Sequence, residues 1–370
     1  MRPLAPEHLK RLTPYDPGKP IAEVRRELGI GPEVEVIKLA SNENAHGPSP
    51  AGVEAATRAL IEAHRYPDGG GFYLRRALGE HLGVDPSRVV LGNGSNELLE
   101  LLIRAFVQPG ETAVVSASSF VVYKLVLMGL GREFHEVPLA EDLSFDLDAM
   151  ASAVERDPRV KMVFLPSPNN PTGTYISDHA LARFLARVPD DVVVIMDEAY
   201  FEYVTASDYP DTLAIQADRP RTLTLRTFSK AYGLAGLRVG YGIVSKEVAD
   251  VVHRLRQPFN CNAIAQAGAL AALGDQGHIE RCRRLNVEGV GQLSAGLRAL
   301  GLTPVPTQAN FMLVGMGRPG RPVFDAMLRQ GVIVRVMDGY ALPNHLRVTV
   351  GTQAENERCI QAFAAVLSAE

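Results

Sequence analysis

The chain is 46% hydrophobic and 22% charged, which is the composition of a globular protein. Its 370 residues are enough for one large domain or for two of ordinary size. Its formal net charge of −4 at pH 7 gives no overall attraction to nucleic acid or to an anionic membrane. No apolar run approaches the roughly 18 residues that span a bilayer, and residues 1–7 lack the apolar region of a secretory signal. The spacing of Cys261, Cys282 and Cys359 contains no zinc or dithiol motif, so we expect reduced thiols, no metal and a cytoplasmic location.

An N-terminal arm of about 35 residues precedes the first long regular pattern. It is rich in proline and glycine, and its one amphipathic segment, at about 21–28, is too short to form a core alone. We therefore expect the arm to pack against a smaller domain or against a partner subunit. Ser49 and Pro50 then predict the start of a helix, since serine caps helices and proline suits their first turn.

From about residue 88 onward, short apolar runs alternate with helical segments. The runs lie at about 89–91, 112–117, 161–165 and 192–196. Apolar strands between helices are typical of a mainly parallel sheet that is covered on both faces. Helices dominate after about residue 245, followed by a few short strands and a last helix. The sequence thus predicts an α/β protein with an arm at 1–35, a large domain at about 36–245 and a smaller α+β domain at about 246–370.

Polar motifs follow several of these runs, at the strand ends where open α/β sheets bind ligands. Gly92-Asn93-Gly94-Ser95 stands before a helix, and free N–H groups at a helix start bind phosphate. A plain glycine turn with a helix cap is the alternative. The chain has no P-loop, and Glu97 breaks the G-x-G-x-x-G pattern, so neither nucleotide-binding fingerprint is present.

Two further strand ends carry an acid and an amide. Asp197 closes the run at 192–196, and a buried carboxylate there needs a cation or hydrogen-bond donors. A protonated pyridine nitrogen is one such partner, while a metal or a structural salt bridge are alternatives. Asn170, within Pro168–Gly173, can donate to an anionic oxygen, although a simple Asx turn would also explain it.

The fourth motif is a lysine that a strand delivers into a glycine-rich loop. The β-rich run at 222–228 leads to Ser229 and Lys230, and Arg238 follows eight positions later. An amine held this way can form a Schiff base, whereas pairing with a nearby acid is the structural alternative. Its ordinary pKa of about 10.4 must be lowered, by Arg238 or by the cofactor. Pyridoxal 5′-phosphate fits all four motifs together, because it has a phosphate, a pyridine nitrogen and a ring oxygen and forms an imine with a lysine.

These motifs resemble those of the fold-type I aminotransferases that depend on pyridoxal phosphate, and within them the histidinol-phosphate aminotransferases. The resemblance extends over nearly the whole chain. The matching segments are 14–20, 41–44, 65–67, 94–99, 167–173, 197–200, 227–238, 308–311 and 346–351. Two departures occur: Ser118-Ser119 replaces the usual Pro-Thr, and Ala45-His46 replaces Pro-Leu. His46 could alter the substrate site or be an ordinary loop histidine.

The resemblance implies a role for each cofactor-binding residue. Lys230 would form the Schiff base and move a proton between the substrate Cα and the cofactor C4′, while Asp197 would pair with the pyridinium nitrogen. Asn170 and Tyr200 would hold the ring oxygen, and Phe120 would stack on the ring. The phosphate would be held by Ser95, Asn96, Thr227, Ser229 and Arg238.

The resemblance also implies substrates and a partner. Arg347 would bind the carboxylate of glutamate or 2-oxoglutarate, while Tyr15, Asn44 and Arg335 would contact the phosphate or polar end of the amine substrate. Arg335 could instead be a surface cation. Tyr66 would reach the cofactor phosphate of a second subunit, so an active homodimer is expected.

The reaction implied is amino transfer between L-histidinol phosphate and 2-oxoglutarate, which gives imidazole acetol phosphate and glutamate in histidine biosynthesis. An aromatic amino-acid aminotransferase is the main alternative, and a phosphothreonine decarboxylase is a further one. A non-catalytic regulator that senses pyridoxal phosphate would need an added DNA-binding domain, for which 370 residues leave no room.

Overall fold

The computed structural model describes residues 4–14, 18, 20–29, 31 and 35–368. The strands are β1 Ile37–Lys38, β2 Val89–Gly92, β3 Thr112–Ser116, β4 Glu133–Val137, β5 Val160–Pro166, β6 Val193–Asp197, β7 Thr222–Thr227, β8 Gly240–Ile243, β9 Thr303–Pro304, β10 Phe311–Gly315, β11 Val332–Ile333, β12 Arg335–Val336 and β13 His345–Thr349. The helices are α1 Glu7–Lys10, α2 Ile21–Leu28, α3 Pro50–Ala59, α4 Phe72–Leu82, α5 Ser95–Phe106, α6 Val122–Gly129, α7 Leu147–Arg156, α8 Asp178–Leu185, α9 Thr212–Asp218, α10 Lys246–Leu255, α11 Ala263–Gly274, α12 Gln276–Ala299, α13 Gly320–Arg329 and α14 Gln353–Ser368.

The central sheet has seven strands in the order β2-β8-β7-β6-β5-β3-β4. Strands β7, β6, β5, β3 and β4 are parallel, and β8 runs antiparallel to both of its neighbours. Strand β2 therefore runs in the same direction as β7. The carboxyl ends of β2, β5, β6 and β7 consequently lie at one edge of the sheet, and the mainly parallel sheet predicted from the sequence is confirmed.

Helices cover both faces of this sheet, which explains why the central strands β5 and β6 are apolar at nearly every position. Met162 and Phe164 of β5 pack in a core cluster with residues of α5, on one face. Val163 and Leu165 alternate with them and pack in another cluster with residues of α7 and α8, on the opposite face. Because successive side chains of a strand point to opposite faces, each face receives its own core from one continuous run.

A smaller antiparallel sheet, in the order β12-β13-β10-β9, lies in the C-terminal part of the chain. Strand β1 pairs in parallel with β11, so residues 37–38 join the C-terminal part. Val24 of α2 packs in a buried cluster with Ile333, while α1 contacts α6 of the N-terminal part. The domain limits at 36 and 246 remain predictions. Throughout the described ranges, no helix is both long enough and apolar enough to cross a membrane.

Candidate active site

A cavity of about 240 Å³ opens at the edge of the central sheet where β2, β5, β6 and β7 end. It brings together most of the side chains that the sequence singled out. The predicted residues that line it are Ser95, Asn96, Phe120, Asn170, Asp197, Tyr200, Thr227, Ser229, Lys230, Arg238, Arg335 and Arg347. The C-terminal part contributes the two last arginines, so the cavity lies between the two sheets.

One end of the cavity is built to receive an anion. Helix α5 begins at Ser95, and its first N–H groups have no carbonyl partner within the helix. Arg238 lies opposite, close enough that a Cβ placed on Gly94 would come within 2.5 Å of its Nη2 atom. Ser229 completes this end, since its hydroxyl accepts hydrogen bonds from Thr227 at 3.0 Å and from Arg238 at 3.4 Å. These donors fit a phosphate group.

Asp197 lies at the other end of the cavity, at the last position of β6. Its Oδ2 atom accepts a hydrogen bond of 2.6 Å from the hydroxyl of Tyr123. Its Oδ1 atom is buried and has no hydrogen-bond partner in the part of the chain that the structure describes. Burial raises the pKa of Asp197 to about 6. A cationic N–H group in the cavity would supply the missing partner and favour the charged carboxylate.

Lys230 stands between these two ends, in the loop after β7. Its Nζ atom donates a hydrogen bond of 3.4 Å to the carbonyl of Ser41 and lies 5.6 Å from the ring centre of Tyr200. The pKa of Lys230 is lowered to about 8, chiefly by burial, next by the charge of Arg347 and to a smaller extent by that of Arg238. Burial is therefore the largest cause of a lowered pKa that the sequence analysis expected from Arg238 or from the cofactor, and the amine can be neutral near physiological pH.

Tyr200 is buried beside this lysine and is held by an amide. Asn42, at a positive φ of 55°, donates a hydrogen bond of 2.9 Å to the Tyr200 hydroxyl oxygen. Burial raises the pKa of Tyr200 to about 12, so it is a neutral phenol at physiological pH. Because the phenol oxygen already accepts from Asn42, its own proton is available to a ligand oxygen.

Two guanidinium groups line the side of the cavity that faces the C-terminal part. Arg335 of β12 and Arg347 of β13 are direct partners in the antiparallel register. Arg347 donates to the side-chain oxygen of Asn170 and, at 2.7 Å, to the carbonyl of Ala40. A Cβ on Gly18 of the arm would come within 2.7 Å of Arg335, so the arm reaches this side of the site. Two adjacent cations suit a ligand with two anionic groups.

Two predicted residues that the structure describes, Asn44 and Tyr66, are not part of this cavity lining. The side-chain amide of Asn44 donates to the carbonyl of Ala231 at 2.8 Å and to the sulfur of Cys282 at 3.2 Å. It therefore binds the backbone of the loop that carries Lys230. Tyr66 is 83% exposed and stacks on Phe259, with ring centres 4.7 Å apart. Tyr15 lies outside the described residues.

The structure adds residues that the sequence analysis missed. Asn42, Tyr123 and Tyr340 line the cavity, and only Asn42 lies in a segment that had been singled out. Tyr123 follows Phe120 by three positions, just inside the start of α6, and this short spacing is the signal that could have placed both rings at the same site. Of the two departures noted in the sequence, Ser118 donates a hydrogen bond of 2.7 Å to the carbonyl of Tyr340, while His46 is half-buried and lies outside the cavity lining.

Known proteins resemble this chain over its whole length. The family model of aminotransferase class I and II matches residues 34–363. A histidinol-phosphate aminotransferase of Anaeromyxobacter sp. (strain Fw109-5) is 50% identical, and the match covers 99% of this chain and 100% of that protein. Histidinol-phosphate aminotransferase 2 of Pseudomonas aeruginosa is 49% identical, with 99% and 98% covered.

Solved structures share the fold. Histidinol-phosphate aminotransferase from Sinorhizobium meliloti, in complex with pyridoxal-5′-phosphate, superposes with a TM-score of 0.89 at 26% identity, covering 99% of this chain and 98% of that one. Aspartate aminotransferase from Thermus thermophilus with maleate gives a TM-score of 0.84 at 25% identity, with 99% and 100% covered. These likenesses confirm the predicted fold-type I architecture. The chain belongs to the aminotransferase class I and II family.

Proposed function

We propose that the protein is a pyridoxal-phosphate-dependent transaminase that moves an amino group between L-histidinol phosphate and 2-oxoglutarate, a step of histidine biosynthesis. The observation that carries the proposal is that one cavity is lined by a buried amine, by an unpartnered carboxylate oxygen and by two adjacent guanidinium groups, at Lys230, Asp197, Arg335 and Arg347. The relatives that carry the histidinol-phosphate name cover the full chain at 45–50% identity.

Pyridoxal phosphate supplies, when bound, a protonated ring that withdraws electrons from the substrate Cα. The anion-binding end at Ser95, Ser229 and Arg238 suits its phosphate, together with Asn96 and Thr227. Oδ1 of Asp197 suits its ring nitrogen, since that atom is buried and has no other partner among the described residues. Phe120 provides a ring face, and Asn170 and Tyr200 provide donors for the ring oxygen.

Lys230 holds the proton that moves during the reaction. Its amine is buried, and the lowered pKa allows it to be neutral often enough to act as a nucleophile and as the base that would take a proton from Cα. The carbonyl of Ser41 orients Nζ at 3.4 Å. Asn44 contributes by fixing the next residue of the loop, Ala231, rather than by contacting the substrate.

The arginine pair selects the substrates. Arg347 suits the carboxylate of glutamate or 2-oxoglutarate, because its guanidinium is fixed by Asn170 and Ala40. Arg335 suits the phosphate of histidinol phosphate, and Tyr15 remains a candidate for the same group. Amine substrate and keto acid thus occupy one cavity in turn.

The active form is a homodimer to which Tyr66 contributes across the interface. Several large apolar side chains near Tyr66 are exposed, as expected of a face that a second copy covers. They are Leu60, Ile61, Phe72, Tyr73 and Phe259. We place the enzyme in the cytoplasm, in keeping with its three buried free cysteines.

A single spectroscopic experiment tests the substrate assignment. The purified protein with pyridoxal phosphate is mixed in turn with L-histidinol phosphate, L-glutamate, L-phenylalanine and L-threonine phosphate, and conversion of the cofactor to its amine form is followed by absorbance. Histidinol phosphate and glutamate should convert it rapidly. Fast conversion by phenylalanine with none by histidinol phosphate would show an aromatic aminotransferase instead. Lys230→Ala should abolish the lysine-linked absorbance, and persistence of that absorbance would contradict the proposal.

A further inference from the structure

Tyr123 is a buried tyrosine that contacts Asp197 from the helix α6. It is fully buried in α6, where its ring stacks on Phe164 at 4.7 Å and meets the edge of Phe120 at 5.7 Å. Its hydroxyl lies 2.6 Å from Oδ2 of Asp197. The two aromatic neighbours fix the ring, so the hydroxyl cannot turn away from the carboxylate without a repacking of the core.

The direction of this hydrogen bond is fixed by the chemistry of the phenol. Burial and the neighbouring charge of Asp197 raise the pKa of Tyr123 well above its ordinary value. The phenol therefore keeps its proton at every working pH and donates it to Oδ2. A proton taken up by Asp197 then has to be placed on Oδ1, the oxygen that accepts no side-chain hydrogen bond from the described residues. Such a proton would confront the N–H of a protonated ring nitrogen.

We propose that Tyr123 is a positioning residue: its hydroxyl occupies Oδ2 of Asp197, keeps that carboxylate charged and directs Oδ1 toward the ring nitrogen of the cofactor. This inference rests on the proposed function, since it needs Asp197 to be the partner of that nitrogen. The role assigned to Tyr123 is exerted through the carboxylate, to which its hydroxyl donates.

Several groups around Asp197 act on its charge. Burial raises the pKa of the carboxyl, the Tyr123 hydrogen bond opposes this effect most strongly, and the backbone N–H of Ala199 opposes it as well. Glu198 raises the pKa and Lys230 lowers it. Lys230 contributes to this effect only while its amine is protonated. Among the side chains that the structure describes, the hydroxyl of Tyr123 is the donor that favours the charged form of Asp197 whatever the state of Lys230.

The first test compares two ligands on the apoprotein. Tyr123→Phe should weaken binding of pyridoxal phosphate about tenfold or more, because a hydrogen bond to a buried charge is lost. The same variant should bind the analogue with CH in place of the ring nitrogen as the parent does, since that ligand makes no N–H bond to Asp197. The inference would be overturned if the variant and the parent bound pyridoxal phosphate equally well. It would also be overturned if the variant lost the same affinity for both ligands.

The second test observes the ring nitrogen directly. With ¹⁵N-labelled cofactor bound, the pH at which the ring nitrogen loses its proton should fall in Tyr123→Phe, because a more readily protonated Asp197 stabilises the pyridinium less. Tyr203→Phe, another buried tyrosine without contact to Asp197, is the matched control and should leave that pH unchanged. An unchanged value in Tyr123→Phe, with a folded protein by thermal unfolding, refutes the role.

Asp197→Asn separates this inference from the proposal beneath it. If Asp197 is the partner of the ring nitrogen, Asp197→Asn should lower the deprotonation pH strongly, whatever Tyr123 does. A strong effect of Asp197→Asn with none from Tyr123→Phe would reject only the role of Tyr123. No effect from Asp197→Asn would reject the assignment of Asp197, and the inference with it.

Discussion

Glu202 is a buried acid whose charge is poorly compensated. It is 8% exposed, and its Oε2 atom accepts no hydrogen bond from any described residue. Burial raises its pKa to about 7, although the nearby Arg226 acts in the opposite direction. Arg226 is already paired with the fully buried Glu198, with an N–O distance of 2.8 Å. Ionised Glu202 thus adds a charge that its surroundings stabilise poorly.

This arrangement predicts a pH dependence of stability. The folded pKa of Glu202, about 7, exceeds its ordinary value of 4.5. Its ionisation therefore destabilises the fold progressively between those values, by an amount on the order of 2–3 kcal/mol. In denaturant titrations of the apoprotein, Glu202→Gln should lose less unfolding free energy than the parent between pH 4.5 and 7. Glu54→Gln, at an exposed surface pair, is the control and should keep the parental slope. An equally steep slope in Glu202→Gln would contradict this prediction.

At the scale of elements, the loop between β2 and α5 shows how backbone geometry makes an anion site. Gly94 adopts a φ of 76°, which turns the chain so that α5 starts facing the cavity. A side chain there would also collide with Arg238, since its Cβ would lie 2.5 Å from Nη2. The missing side chain therefore allows both the turn and the close approach of the guanidinium group.

Gly94→Ala should therefore weaken cofactor binding. We expect the dissociation constant of pyridoxal phosphate, measured by fluorescence titration of the apoprotein, to rise about tenfold or more, because Arg238 is displaced from the phosphate end. Gly110→Ala is a matched control: its φ is 90°, but a Cβ there has open space around it. It should lower thermal stability without changing the affinity. Equal affinities of Gly94→Ala and the parent would show that Arg238 does not need this space.

Predictability from sequence differed between elements for physical reasons. Strands β5 and β6 were predictable because burial on both faces makes them continuously apolar. Strand β8 was missed, because Gly240 and Gly242 resemble a loop, although their small size lets the strand pack closely against Ser95 and Leu225. Strand β4 was missed because it lies at the edge of the sheet, where its solvent-facing positions are polar.

The site residues divide in a similar way. Lys230 and Asp197 could be proposed from sequence because each pairs a reactive side chain with a strand end. Tyr123 could not, since a tyrosine in an apolar helix resembles an ordinary core residue, and its hydrogen bond joins positions 74 residues apart. Asn44 was proposed as a substrate contact, but the direction of a loop amide depends on long-range neighbours such as Cys282.

At the scale of the whole molecule, the proposed dimer can be tested by combining two defects. A Lys230→Ala subunit lacks the amine, and a Tyr66→Ala subunit lacks the tyrosine proposed to reach its partner's site. A heterodimer of the two contains one site with Lys230 and the partner's Tyr66 both intact. Co-refolding equal amounts should restore about a quarter of the parental activity, since half of the randomly formed dimers are mixed. Activity no higher than that of the two variants alone would exclude a contribution of Tyr66 across the interface.

The order of the central sheet has a consequence for biosynthesis. In the described fold, β2 pairs with β8 alone, which ends at Ile243, about 150 residues further along the chain. At roughly 5–20 residues per second, the apolar strand β2 leaves the ribosome about ten seconds or more before its partner exists. The phosphate end at Ser95 and Arg238 is completed only with that pairing. Nascent chains must therefore keep the apolar, unpaired strand β2 from aggregating during that interval. They become able to bind the cofactor only late in synthesis.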